Sequence, residues 1–285
     1  MSHAKETFSR NAADSAVHSL IEEVELTPKP GLVDRVNNGA HQDLSIELMR
    51  KSARSLKETF EQIALISYGN SPSLSLREEI AAIGRNGENR MFETTCGVNT
   101  HKGAIWAIGL LVAAAAMGKG CYAIKEIVSL AGETARYPDR HCPITATNGM
   151  LVSAKYGVNG ARAEAEQGFP HIVHVSMPML KQARACGFAE NEAQLYSLLA
   201  LIASLDDTCI LHRGGPEALI FAKRQAASVL TSGSLEMLKA LDEEFTRLNI
   251  SPGGSADMLA ATLFLDKIQR HIIGDVVQKE VGSIH

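Results

Sequence analysis

"HIVHVSM", His171 to Met177, is the stretch on which the fold class turns. Its β-branched alternation is the pattern of a strand, yet Pro178 follows at once and a short helix leading to that proline fits equally well. A strand needs partners, and β-branched alternation over more than four residues is almost absent elsewhere in the chain. Alternating strand–helix units are missing, which argues against a doubly wound sheet. The expectation is an all-α fold.

Outward from that stretch, helical periodicity dominates. Phe8, Ala12, Ser15, Ala16, Ser19, Leu20 and Glu23 share one face at helical spacing, and "TPKPG" at Thr27–Gly31 ends that helix because two prolines and a glycine cannot continue it. Leu48, Ser52, Leu56 and Phe60 predict a second helix over Ser45–Ile66. Further helices are expected near Ser75–Glu93, Gly103–Met117, Ala123–Arg136, Asn191–Ser204, Glu217–Leu230, Leu235–Leu248 and Asp257–Ile272, with a tail after Gly274 expected to fray. No fixed-period repeat or low-complexity linker divides the chain, so residues 1–285 read as a single-domain multi-helix bundle.

The chain has 285 residues, 45 % of them hydrophobic, 21 % charged, with a net charge of −4. That balance gives no reason to expect nucleic acid or an acidic membrane as partner. The N-terminus lacks the apolar core of a signal peptide, and the most apolar run, Ala104 to Met117, is too short to span a membrane. Five scattered cysteines without C-x-x-C spacing suit free thiols in a cytoplasmic protein.

Five polar, glycine-bearing stretches at helix edges carry the candidate chemistry. "TPKPGLVDRVNNGAHQD" crowds Lys29, Asp34, Arg35, His41 and Asp43 into one loop. "CGVNTHKG" sets Asn99, Thr100, His101 and Lys102 ahead of a helix start, where free N–H groups favour anions, but its lysine precedes the second glycine and no strand feeds it. It is not a P-loop. "NGARAEAEQGFP" holds Glu164, a candidate metal ligand or general base, and Arg162 four residues before Glu166, a spacing that also suits a surface ion pair. "DDTCILHRGG" offers Asp206 and Asp207 to a metal and Arg213 to phosphate, or is an exposed helix end. "SPGGSAD" offers Ser251 and Ser255 as helix caps or, with Gly253 and Gly254, an anion cradle.

In this order the stretches closely resemble the triphosphoribosyl-dephospho-coenzyme A synthase family, over residues 23 to about 260. The resemblance implies transfer of the 5-triphosphoribosyl unit of ATP to the 2′-hydroxyl of 3′-dephospho-coenzyme A, with release of adenine. The product is the prosthetic-group precursor for an acyl carrier protein, loaded by a prosthetic-group transferase. Cleavage at C1′ rather than at phosphorus accounts for the missing P-loop. An oxocarbenium-like transition state wants a nearby carboxylate, the attacking hydroxyl a base, and the triphosphate Mg²⁺ with cations.

On that footing Asp34, Glu164 and Asp207 are the expected catalytic acids, with Glu164 as general base. Lys29, His101, Lys102 and Arg213 are expected to hold phosphates, with the backbone of Gly214, Gly215, Gly253 and Gly254. Arg35, His41, Asp43, Asn99, Arg162, Ser251 and Ser255 complete the expected substrate contacts, and Asp34, Asp207, Glu23 and Asp257 the expected Mg²⁺ ligands. Cys209 departs from the asparagine usual after Asp-Thr in the family, and a thiol cannot replace an amide's acceptor and donors together. "VDRVNNGAH" looks like citrate lyase-associated members and "HRGG" like those of malonate decarboxylase, with citrate lyase preferred. A homodimer is the assembly considered. A nucleoside or ADP-ribosyl hydrolase needs the same acids, and a non-catalytic helical nucleotide binder is the other alternative; the charge density of five loops counts against the latter.

Overall fold

The computed structural model describes residues 2–142 and 147–282, with side chains as far as Arg270. In chain order its helices are α1 (His3–Glu25), α2 (Ile46–Ser55), α3 (Lys57–Ser67), α4 (Leu74–Thr94), α5 (Lys102–Met117), α6 (Ile124–Arg136) and α7 (Asn148–Tyr156). Then come α8 (Ala161–Glu166), α9 (Met177–Ala185), α10 (Glu190–Ser204), α11 (Thr208–Ser232), α12 (Leu238–Arg247) and α13 (Gly253–Gly282). Among the described residues there is no strand.

The apolar α5 is the centre of the bundle. Every residue from Ala107 to Met117 is buried, with α1, α3, α4, α6, α8 and α13 packed around it. A helix apolar on all sides belongs inside a core, and no single described helix is long and apolar enough to cross a membrane. The expected face of α1 is the buried one: Ala12, Ser15, Ala16, Ser19, Leu20 and Glu23 all point inward.

"HIVHVSM" forms no strand. It is a π-helical turn at Ile172–Ser176 that runs straight into α9. Its irregular backbone is held from outside: Ser197 Oγ donates to the Ser176 carbonyl at 3.0 Å, and Ser176 Oγ meets Thr262 Oγ1 at 2.6 Å.

Several boundaries differ from expectation. The helix expected over Ser45–Ile66 breaks at Leu56, so that α2 and α3 meet at a buried leucine. Helices α7 and α9 occupy segments whose periodicity was too short to register. Three of the five candidate stretches are largely helical: α8 lies inside "NGARAEAEQGFP", α11 begins at Thr208, and α13 begins at Gly253. Tertiary packing stabilises these short or glycine-bearing helices where propensity alone does not. Helix α13 runs past Gly274 to Gly282; the expected fraying falls where side chains, and then residues 283–285, lie outside the described residues.

Candidate functional site at the converging helix ends

The C-terminal end of α1, the loop that follows it, and the N-termini of α5, α11 and α13 meet at one end of the bundle. Asp207 joins two of them. Its buried carboxylate caps its own helix through the N–H groups of Cys209 at 2.9 Å and Ile210 at 3.4 Å. It also takes Gly254 N–H at 3.2 Å and the N–H and hydroxyl of Ser255 at 2.8 and 2.9 Å, which closes the start of α13. Burial pushes the carboxyl upward, against the pull of these donors.

Asp257, one turn further along α13, lies over the start of α5. A Cβ at Gly103 would overlap its Oδ2, so only glycine leaves room for that carboxylate, which takes the Ala104 N–H. Burial, and then the like charges of Glu23 and Asp207, push Asp257 well above the ordinary carboxylate range. Glu23 itself is buried and paired with the buried Lys29 at 2.6 Å.

His101 sits beside Lys29, fully buried, with Nδ1 2.9 Å from Ser52 Oγ. Its Nε2 has no hydrogen-bond partner among the described residues. Burial and the Lys29 charge lower its pKa to about 3, so the ring is neutral near pH 7. An unpaired polar atom at such depth is costly unless a ligand atom meets it.

A second histidine is locked between loops. His41 Nε2 lies 2.8 Å from Ser251 Oγ, and Arg213 Nη2 donates to Nδ1 at 3.0 Å. Burial and the Arg213 charge lower its pKa to about 4. Arg213 also donates to the Ala40 carbonyl at 2.8 Å and Asn249 Oδ1 at 2.7 Å. All of these partners are neutral, and no carboxylate pairs with the guanidinium among the described residues. The Cys209 thiol, beside Asp207 and Asp257, is raised well above its ordinary value by burial and those charges.

Other candidates serve the framework. Asp34 organises its own loop, accepting N–H from Lys29 at 3.1 Å, Val36 at 2.7 Å and Asn37 at 3.0 Å. Arg35 pairs with Glu25 at 2.6 Å, Lys102 with Glu88 at 2.8 Å, and Arg162 with Glu166 at 2.7 Å. Asn99 Oδ1 accepts the Lys102 N–H at 3.2 Å as a helix-start cap, and Asp43 is exposed, 3.8 Å from His41. Gly214 lies inside α11, where N–H groups bond the preceding turn, so it offers no phosphate donor. Gly215, at φ 69°, kinks the helix before Pro216, which restarts it without an N–H. Gly254 and Ser255 direct their N–H groups at Asp207, which corrects the expectation of an anion cradle there.

Glu164, buried on α8, faces His171. Its carboxylate accepts the His171 N–H at 2.8 Å and contacts His171 Nδ1 at 2.7 Å. That contact raises the His171 pKa. The two adjacent acids of the α10–α11 turn face different neighbours: Asp206 pairs with Lys223 at 2.5 Å, while Asp207 caps the two helices.

The expected Mg²⁺ ligands do not assemble a cage. Asp34 and Asp207 are occupied by backbone donors and Glu23 by Lys29, and no group of three possible ligands forms among the described residues. Sequence reasoning also missed Ser52, Asn249, His171 and Asp242. The last holds Gly31 N–H at 2.9 Å and Asn37 Nδ2 at 2.7 Å, from a helix some two hundred residues downstream, where local sequence carries no signal.

The model of the ATP:dephospho-CoA triphosphoribosyl transferase family matches residues 9–274. The chain is 46% identical over 262 residues to the 2-(5''-triphosphoribosyl)-3'-dephosphocoenzyme-A synthase of Klebsiella pneumoniae, covering 90% of this chain and 94% of that protein. It is 44% identical over 272 residues to a probable synthase of the same name from Pseudomonas fluorescens, covering 93% of each. A probable synthase of Azotobacter vinelandii is 46% identical over 265 residues, covering 90% of this chain and 91% of its own length. No solved structure matches.

Proposed function

The chain belongs to the ATP:dephospho-CoA triphosphoribosyl transferase family, and from that premise we propose how its converging helix ends carry the reaction. The enzyme is a transferase that moves the triphosphoribosyl group of ATP to dephospho-CoA. The 2′-hydroxyl oxygen of the acceptor bonds to C1′ as the C1′–N bond to adenine breaks, its electron pair staying on adenine; the hydroxyl proton goes to a base, adenine takes up one proton as it leaves, and over the turnover the proton lost matches the proton gained.

Asp257 is that base. The observation that carries the assignment is its place on the N-terminus of α5, where Gly103 leaves it room and Glu23 and Asp207 raise its proton affinity. A carboxylate tuned upward accepts a proton better than an ordinary one. Until it takes that proton, its negative charge also favours positive charge at C1′. Arg213, without a carboxylate partner among the described residues, holds phosphate. The open Nε2 of His101 meets a polar substrate atom.

Mg²⁺ belongs to this reading as the counter-ion of the ATP phosphates, since magnesium is held by few carboxylates and many phosphate or water oxygens. The branch proposed, on "VDRVNNGAH", is citrate lyase; its test is which carrier protein, that of citrate lyase or of malonate decarboxylase, lacks its prosthetic group in cells without this enzyme.

Adenine release tests the whole. Release that requires both ATP and dephospho-CoA, and falls at least a hundredfold in Asp257→Asn without loss of folding, supports the assignment. Release from ATP alone would make the protein a hydrolase. Full turnover in Asp257→Asn would remove the base.

A further inference from the structure

Arg77, on the first turns of α4, is distinguished by what it lacks. It is only 7 % exposed, its Nε has no hydrogen-bond partner, and no ion pair joins it to a carboxylate among the described residues. A guanidinium withdrawn from water without a counter-charge is costly. Its partner is instead the face of Trp106, with the guanidinium carbon 5.0 Å from the ring centroid.

Charges of both signs lie around it. Burial works most against its proton; Asp139 favours it, while Arg162 and Arg85 disfavour it. Asp139 is already paired with Arg85 at 2.5 Å, and Glu166 with Arg162 at 2.7 Å. Arg136 reaches the Glu166 carbonyl at 2.7 Å, adding a fourth guanidinium to two carboxylates. The Trp106 ring is fixed by its Nε1–H, which donates to the carbonyl of Ala161 at 3.1 Å, beside Arg162. Trp106 also lies one helical turn after Lys102 on the same face of α5, about 6 Å along the axis.

We propose that Arg77, Arg85 and Arg162, with Trp106 as floor, form a binding site for a phosphoanhydride chain. Guanidinium forks match phosphate oxygens in pairs, and the surplus positive charge at the buried Arg77 is the charge such a ligand neutralises. The inference rests on the transferase reading for its natural ligands, because the triphosphate of ATP and the diphosphate of dephospho-CoA share this chemistry.

Trp106 is the single tryptophan of the chain, so its fluorescence reports the site directly. Inorganic pyrophosphate, titrated at constant ionic strength, is expected to change that emission saturably. The midpoint is expected to rise at least tenfold in Arg77→Gln and in Arg162→Gln, and to stay put in Arg224→Gln, an exposed arginine on α11. Arg162 is 67 % exposed, so its variant tests the site without touching the core. Parallel titrations separate the sources: a shift for ATP alone assigns the triphosphate, a shift for dephospho-CoA alone the acceptor, and a shift for both a shared site. Absence of any saturable change in the wild type while adenine release persists overturns the site and leaves the transferase reading standing. Equal weakening in Arg224→Gln also overturns it. A saturable, Arg77-dependent response without adenine release would uphold the site and overturn the transferase reading.

Discussion

Asp207 and Ser255, 48 positions apart, are joined twice: the Ser255 N–H and hydroxyl both donate to Asp207 Oδ2, at 2.8 and 2.9 Å. The same carboxylate caps α11, so one side chain closes two helix N-termini. A single lost cap costs up to about 2 kcal/mol; Asp207→Ala is expected to lose about 2–4 kcal/mol, read from urea unfolding midpoints. Asp207→Asn, whose amide turns donors toward donors, should lose activity in step with stability. A variant as stable as the wild type would contradict the double cap.

Gly103→Ala tests the seat of Asp257. In an open helix this change stabilises by about 1 kcal/mol. Here the new Cβ overlaps Asp257 Oδ2 and displaces it, so adenine release should fall at least tenfold while the far-UV circular dichroism is kept. Unchanged turnover would place the reacting hydroxyl elsewhere. Because Asp257 must be ionised to act and its pKa is raised in the free protein, kcat/KM should fall on acidification at a pH above the ordinary carboxylate range. That acid limb should disappear from whatever activity remains in Asp257→Asn.

His41 and His101 give stability a pH dependence. Both are held neutral in the fold, with pKa values lowered from 6.5 to about 4 and about 3. The unfolded chain therefore binds protons that the native state refuses. Their contribution is complete above pH 6.5 and declines as pH falls from there toward 4 and 3, by at most about 3 kcal/mol for His41 and about 5 kcal/mol for His101. His41→Gln should flatten the decline between pH 6.5 and 4; urea midpoints across that range provide the measurement, and an unaltered slope would rule out a neutral His41.

The cysteines divide by environment. Cys96, Cys121, Cys142 and Cys186 are free and exposed, whereas burial, and then the charges of Asp207 and Asp257, raise the Cys209 thiol. Reaction with a disulfide reagent at pH 8 should show four fast thiols and one slow one, since the thiolate is the reactive form. Fast reaction at Cys209 would contradict its acidic surroundings.

Much of the fold was legible because periodicity is a local property. The buried face of α1 and the buried run of α5 follow from residue spacing. Short segments were not legible: "HIVHVSM" alternates like a strand but continues as a π turn because Ser197 and Thr262 hold it there. The polar stretches drew attention to His41, His101, Asp207, Arg213 and Asp257, which do converge. Their roles were hidden, because each depends on partners distant in sequence.

The sequence by itself determined the all-α class, the family, and which stretches hold the chemistry, since these rest on local spacing and residue identity. Only the tertiary structure decided that Asp34 and Asp207 accept backbone N–H groups, that burial and like charges push Asp257 upward, and that Arg77 has no carboxylate ion pair among the described residues. A charged side chain's function is set by what desolvates and neutralises it. Those neighbours arrive from other helices, so folding chose among acids and bases that the sequence could only nominate.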